Sequence, residues 1–226
     1  MAMFSKLMVR QDWQYVLPLI FGIVHCFLIS SLFFTVCTKI AYLLGDPCPK
    51  LNGRGKIYED LEPVGFLLFV TTGLGWGKPF PLQRENLKKP QRDVFLILCS
   101  GVFACLLFTV ACFFLSSLVY SRIESGTLWG YLFWSLLHLG ILSFGFALSQ
   151  FLPLPFFGMY TIVFPYYGNK IQDFFLKWQK QWILSLAVFL WTGYPQLFFS
   201  IFFGFFIQPL CEICGIPFAF VDYYFL

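Results

Sequence analysis

The chain has 226 residues, of which 59% are hydrophobic and 12% are charged, and its mean hydropathy is +0.76. Soluble globular domains do not carry so apolar a composition, so these values predict an all-α, polytopic membrane protein. The net charge of +4 shows no footprint of a nucleic-acid-binding surface. Eight cysteines lie mostly inside apolar runs, which favours small buried residues over a disulfide framework.

About four apolar runs are long enough to cross a bilayer, which needs roughly 20 residues of helix. They cover residues 15–44, 94–120, 127–150 and 182–207. The first lacks a small-residue cleavage site, so we interpret it as a retained span and not a signal peptide. Because the link 121–126 is short, the second and third spans are expected to be antiparallel neighbours. A single membrane domain covering residues 1–226 is therefore predicted.

Two segments are apolar but interrupted. Gly65 to Leu82, GFLLFVTTGLGWGKPFPL, carries glycines and prolines in its second half, which forbid a regular helix there. We expect a re-entrant or extended hairpin, which at membrane depth must be covered by protein or line a wet cavity. Residues 151–167 contain three prolines and a glycine and are predicted to form a broken, partly buried segment. The aromatic tail after residue 207 is expected at the membrane interface.

The distribution of basic residues predicts the orientation. Eleven lie in the loops on one side of the predicted spans and three on the other. The positive-inside rule then places both termini outside and the Gly65–Leu82 stretch at the cytoplasmic face.

Several short motifs follow one another in a recognisable order. They are Ala41 with Leu44-Gly45-Asp46, Gly53-Arg54, Pro63 with Gly65, GWGKPFP at Gly75–Pro81, Asn86 with Pro90, Ser100-Gly101, and QFLPLP at Gln150–Pro155. With these motifs, the chain resembles the site-2 protease class of intramembrane zinc metalloproteases, the peptidase M50 group. The resemblance covers roughly residues 20–165 and implies a site-2-protease-like core, with the span at 182–207 as an addition.

The resemblance also shows which family residues are missing. Family members hold Zn²⁺ with two histidines of an HExxH helix and an aspartate from a distant helix, and the glutamate acts as the base. By the family's spacing, Phe33 and Phe34 stand in place of the first histidine and the glutamate. Cys37 stands in place of the second histidine, and Gly158 in place of the aspartate. Asp60 and Cys105 likewise replace a family histidine and asparagine.

Other candidate ligands are sparse. His25 and His138 are in different spans, and neither has a His, Asp or Glu three or four residues away. We interpret each as an intramembrane histidine bonded to a carbonyl or hydroxyl. Cys211 and Cys214 form a CxxC without a second pair, which favours two small buried or interfacial residues, with a disulfide on the external face as the alternative.

The sequence therefore favours a catalytically inactive site-2-protease-like protein, without metal or cofactor, that binds membrane protein segments as a scaffold or regulator. Two alternatives stay open: an active intramembrane metalloprotease with a non-standard zinc site, and a structural subunit of a larger membrane complex. Expected partners are membrane proteins or transmembrane segments and the lipid bilayer, in a bacterial plasma (inner) membrane. Residues expected to line the partner groove are Gly73, Gly75, Trp76, Gly77, Lys78, Pro79 and Pro81.

Overall fold

The computed structural model describes residues 16–56, 59–78, 80–120, 122, 128–152, 157–164, 173–175, 177–192 and 194–221. Within these ranges the chain is helical, and the one β-type contact is an isolated bridge between Leu61 and Gly77. The predicted all-α class is confirmed. The helices are α1 (Val16–Leu43), α2 (Cys48–Leu51), α3 (Pro63–Thr72), α4 (Pro90–Tyr120), α5 (Leu128–Ser149), α6 (Gly158–Val163), α7 (Gln179–Trp191) and α8 (Tyr194–Cys214).

Three of these helices are long and apolar enough to cross a membrane. They are Ile20–Leu43 within α1, all of α4 (Pro90–Tyr120), and all of α5 (Leu128–Ser149). Much of the α4 surface is exposed and apolar, including Phe103, Leu107 and Phe114. Such a surface is suited to contact with lipid chains, as expected of a helix in a bilayer.

The predicted fourth span at 182–207 is not one helix. The structure ends α7 at Trp191 and begins α8 at Tyr194, which divides this stretch into two helices. The 13 residues of α7 reach about 20 Å at 1.5 Å per residue, which is less than the roughly 30 Å hydrocarbon core. This correction follows from the local backbone, because hydropathy does not report where a helix stops.

Helices α4 and α5 form the tightest pair in the fold. Thr109 Oγ1 donates a hydrogen bond of 3.2 Å to the carbonyl of Gly140, and Ser143 Oγ donates one of 2.9 Å to the carbonyl of Cys105. A Cβ added at Gly140 would lie 3.0 Å from the Phe113 ring, so this glycine permits the close approach. Small residues and interhelical hydrogen bonds are the usual means of helix association in membranes.

The Gly65–Leu82 stretch begins as a helix and continues as an extended segment. Glu62 caps α3 by accepting a hydrogen bond from the Gly65 amide, and Gly73 ends the helix in the left-handed conformation at φ 76°. Beyond it, Lys78 N donates to the carbonyl of Asp60 at 2.9 Å beside the Leu61–Gly77 bridge. The glycines thus stop the helix where the sequence predicted.

The predicted broken segment and tail are described only in part. Residues 153–156 and 165–167 of the broken segment lie outside the described residues, whereas Gly158–Val163 forms the short helix α6. Of the tail, Ile216 and Val221 are buried, and the Phe220 ring contacts Tyr120 and Phe133. The described part of the tail therefore packs against α4 and α5.

Candidate functional site

A cavity of about 220 Å³ opens between α1, the start of α4, α6 and the segment after α3. Its walls are mainly apolar, and the polar side chains that reach it include Lys78, Gln150 and Thr161. The residues that line the cavity are Phe33, Phe34, Cys37, Lys78, Phe80, Leu82, Val94, Ile97, Leu98, Gln150, Phe157, Gly158, Tyr160, Thr161, Phe164 and Phe175. The four positions at which the family would carry its zinc ligands and base, 33, 34, 37 and 158, are all among them.

Two buried phenylalanines form one wall of the cavity. Phe33 and Phe34 meet edge to face with centroids 5.2 Å apart, and Phe33 also packs edge to face on Phe146 at 5.5 Å. Phe34 stacks on Phe80 at 6.2 Å, and the Arg54 guanidinium lies 5.9 Å from its ring centre. The aromatic ring at 34 thus links α1 to the extended segment that follows α3.

Cys37 and Gly158 are each held against α4. The Cys37 thiol is buried and donates a hydrogen bond of 3.4 Å to the carbonyl of Ile97. Gly158 packs so closely on Leu98 that an added Cβ would overlap its Cδ1 atom. The Gly158 amide donates to Gln150 Oε1 at 3.2 Å, and the Met159 amide donates to the Gln150 carbonyl at 2.8 Å. Gln150 therefore fixes the start of α6 at the cavity.

The residues predicted to line a partner groove are divided by the structure. Of those described, Lys78 is exposed and lines the cavity, whereas Trp76 is 2% exposed and packs edge to face on Phe157. Gly75 and Gly77 are buried in close contact with Phe69 and Phe34, and neither Gly73 nor Pro81 lines the cavity. Pro79 lies outside the described residues. Among the predicted groove residues that the structure describes, only Lys78 thus lines the cavity.

Two buried carboxylates hold the loops around the cavity. Asp60 is fully buried, pairs with Arg54 Nη1 at 3.0 Å, and accepts a hydrogen bond of 2.9 Å from the Gly55 amide. Burial raises the pKa of Asp60, and the Gly55 hydrogen bond and the Arg54 charge oppose that shift. Asp46 accepts hydrogen bonds from Cys48 N at 3.0 Å, Gln83 N at 2.8 Å and Asn86 Nδ2 at 3.1 Å. The end of α1 is thereby tied to the segment before α4.

The side chains of His25 and His138 are in contact, although no sequence motif predicted this contact. The Nδ1 atoms of His25 and His138 are 3.2 Å apart, and His25 Nε2 is 3.0 Å from Ser135 Oγ. The predicted hydroxyl partner is present for His25, but each histidine also has the other as a partner. A spacing of 113 residues carries no local signal, so only the packing of α1 on α5 reveals the pair.

The CxxC cysteines are both free thiols. Cys211 is buried and Cys214 is partly exposed, and the Cys214 carbonyl accepts a hydrogen bond of 2.6 Å from Ser117 Oγ. The structure therefore has no disulfide bond between Cys211 and Cys214. Ser117 joins the end of α8 to the end of α4.

The cavity does not offer a set of zinc ligands. Within the described chain, no group of three His, Cys, Asp or Glu side chains lies close enough together to hold a metal ion. Zinc in proteins takes three or four nitrogen, sulfur or carboxylate ligands, and the cavity contributes the single thiol of Cys37. The residues present do not fit the zinc that the resemblance implies.

The fold and hydropathy together define this chain as an α-helical membrane protein. Over 84 residues, it is 32% identical to a protein of Bacillus subtilis (strain 168) described as "Putative zinc metalloprotease YwhC". The aligned region is 36% of this chain and 38% of that protein, so the match spans well under half of the curated relative. This similarity supports a metalloprotease-like relationship. No family model matches the chain, and no solved structure matches it.

Proposed function

We propose that this protein is a catalytically inactive relative of the intramembrane M50 metalloproteases, and that it binds segments of other membrane proteins at the cavity. The observation that carries the proposal is the convergence of Phe33, Phe34, Cys37 and Gly158 on one cavity. A phenylalanine ring has no lone pair for a metal and no proton to exchange. The site retains shape and apolar surface without hydrolytic chemistry.

The packing of Phe34 supports this proposal. A Cβ at Gly77 would overlap the Phe34 ring, so the extended segment follows the surface of that ring closely. Glutamate at position 34 would lose the ring contacts that Phe34 makes with Phe33 and Phe80. The aromatic side chain is thus part of the local packing and not a simple replacement for the base.

The packing of Gly158 supports it in the same way. Because an added Cβ would overlap Leu98 Cδ1, an aspartate at 158 requires Leu98 to move. A third zinc ligand from α6 would therefore need a different position of the Leu98 side chain. The proposed role is therefore binding, with the bacterial inner membrane as the location.

The experiment is photo-crosslinking in native membranes from a benzophenone amino acid placed at Lys78, which is exposed and lines the cavity. Leu118, 56% exposed on the apolar surface of α4, is the matched control position. We expect a discrete membrane protein adduct from position 78 that is absent from position 118. Adducts of lipid alone at both positions would contradict the proposal.

A second candidate function is that of an active metalloprotease. It is favoured by the sequence similarity to the Bacillus subtilis protein, which is described as a zinc metalloprotease. Its test is cleavage of a single-span model substrate by the purified chain, with and without a zinc chelator. Cleavage that the chelator abolishes would replace the first proposal with this one.

A further inference from the structure

We infer that the cavity selects membrane segments in which a large apolar side chain lies next to an acidic residue. This inference rests on the proposed function, because it names the class of segment that the same cavity accepts.

The volume limits the occupant to side chains. A helix with its side chains is about 10–12 Å wide, which a cavity of about 220 Å³ cannot enclose. The same volume equals about seven waters at roughly 30 Å³ each, which suits one or two large side chains. The segment must therefore insert one or two side chains while its backbone stays outside the cavity.

The walls select apolar side chains. Phe33, Phe34, Ile97 and Leu98 are each at most 6% exposed and face the cavity from two helices. A polar side chain inserted among them would lose its hydrogen bonds to water without a matching set of partners. Leucine and phenylalanine avoid this cost and gain the free energy of apolar burial.

The rim is cationic. Lys78 is exposed at the cavity and has no ion-pair partner among the described residues. Arg84 lies at the same rim, because its guanidinium donates a hydrogen bond of 2.6 Å to the carbonyl of Thr161, a lining residue. Between positions 78 and 92 the sequence has five basic residues and one acidic residue, Glu85.

Three buried acids near the cavity are already engaged by other groups. The carboxylates of Asp46 and Asp60 are fully buried and engaged within the loops, and the buried Asp93 accepts a hydrogen bond from the Lys89 amide. A carboxylate on the incoming segment is the complementary group, and a lysine or arginine there would be repelled.

The test compares two single-span peptides with the same apolar core, one ending in Leu-Asp-Asp and the other in Leu-Lys-Lys. Binding to the full chain is measured in nanodiscs of phosphatidylcholine, so that no anionic lipid competes. We expect wild type to bind the acidic peptide at least about fivefold more tightly. Lys78→Glu should reverse the preference. Lys56→Glu changes the net charge equally at an exposed residue that does not line the cavity, and should leave the preference unchanged.

The outcomes separate the two claims. Equal binding of both peptides, unchanged by Lys78→Glu, would overturn the selectivity while leaving the proposed function intact. No binding of either peptide would overturn both. Displacement of the acidic peptide from wild type by phosphatidylglycerol, with phosphatidylglycerol itself bound by wild type and not by Lys78→Glu, would identify the rim as a lipid headgroup site and overturn the peptide inference.

Discussion

Removing the Asp46 carboxylate should destabilise the protein strongly, although this residue lies outside the cavity. Asp46 is 0% exposed, and its two oxygens accept three hydrogen bonds, from Cys48 N, Gln83 N and Asn86 Nδ2. Two of these donors are 37 and 40 residues away, so the carboxylate fixes a long-range contact. Alanine would leave the donors without their acceptor.

The magnitude follows from the number of bonds. A hydrogen bond to a charged group contributes about 1.5–3 kcal/mol, and the low end summed over three bonds gives about 4.5 kcal/mol. For a chain of this size, 1 kcal/mol changes the melting temperature by about 2–4 °C. Asp46→Ala should therefore lower the melting temperature by about 9–18 °C. Asp46→Asn keeps one acceptor oxygen and should lose roughly half as much.

The assay is thermal unfolding of purified protein in detergent, followed by the fluorescence of a thiol-reactive dye that reports the newly exposed cysteines. Glu85→Ala is the control, because Glu85 is exposed in the short 3-10 helix Arg84–Asn86, next to the Gln83 amide that Asp46 binds. This substitution should change the free energy of unfolding by no more than about 0.5 kcal/mol. If Asp46→Ala melted within 2 °C of wild type, the assignment of these hydrogen bonds as the link between α1 and the segment before α4 would be refuted.

Two further predictions concern contacts between the long helices. Gly101→Ala should cost about 1–3 kcal/mol in thermal unfolding, because its Cβ would lie 2.5 Å from Cys37 Sγ, whereas Gly204→Ala, with no atom within 4 Å, should not destabilise. Equal melting of the two variants would contradict this packing. His25→Phe should cost about 1 kcal/mol, the usual value for an interhelical hydrogen bond in a membrane, and adding His138→Phe should recover part of it. Additive losses in the double variant would refute the direct contact.

The helix ends around the cavity were predictable because they depend on backbone chemistry. Gly73 adopts a positive φ that other residues rarely accept, and the end of α3 falls there. By contrast, the break between α7 and α8 falls in a stretch of almost uniform hydropathy. Its local signals were Gly193 and Pro195, because glycine is common after a helix and proline is favoured in the first turn of the next one.

The candidate site was predictable only in part. Family spacing selected positions 33, 34, 37 and 158, and the structure brings all four to one cavity. The same reasoning listed Trp76 with the groove, but this side chain lies in the core beside Phe157. Sequence spacing tells which residues are near one another along the fold. It does not tell which way a side chain in an extended, glycine-rich segment is directed, because glycines permit backbone conformations that depart from the regular alternation of a strand.

The hydrogen bond between His25 on α1 and His138 on α5 can have either histidine as its donor. If His25 Nε2 donates to Ser135, then His25 Nδ1 is an acceptor and His138 Nδ1 must carry the shared hydrogen. If Ser135 donates instead, His25 Nδ1 carries that hydrogen and His138 accepts it. Both arrangements use the same heavy-atom positions and keep both rings neutral. The contact is therefore a small dipole between α1 and α5, and its direction is set by the tautomers of the two rings and by the orientation of the Ser135 hydroxyl, not by the positions of the helices.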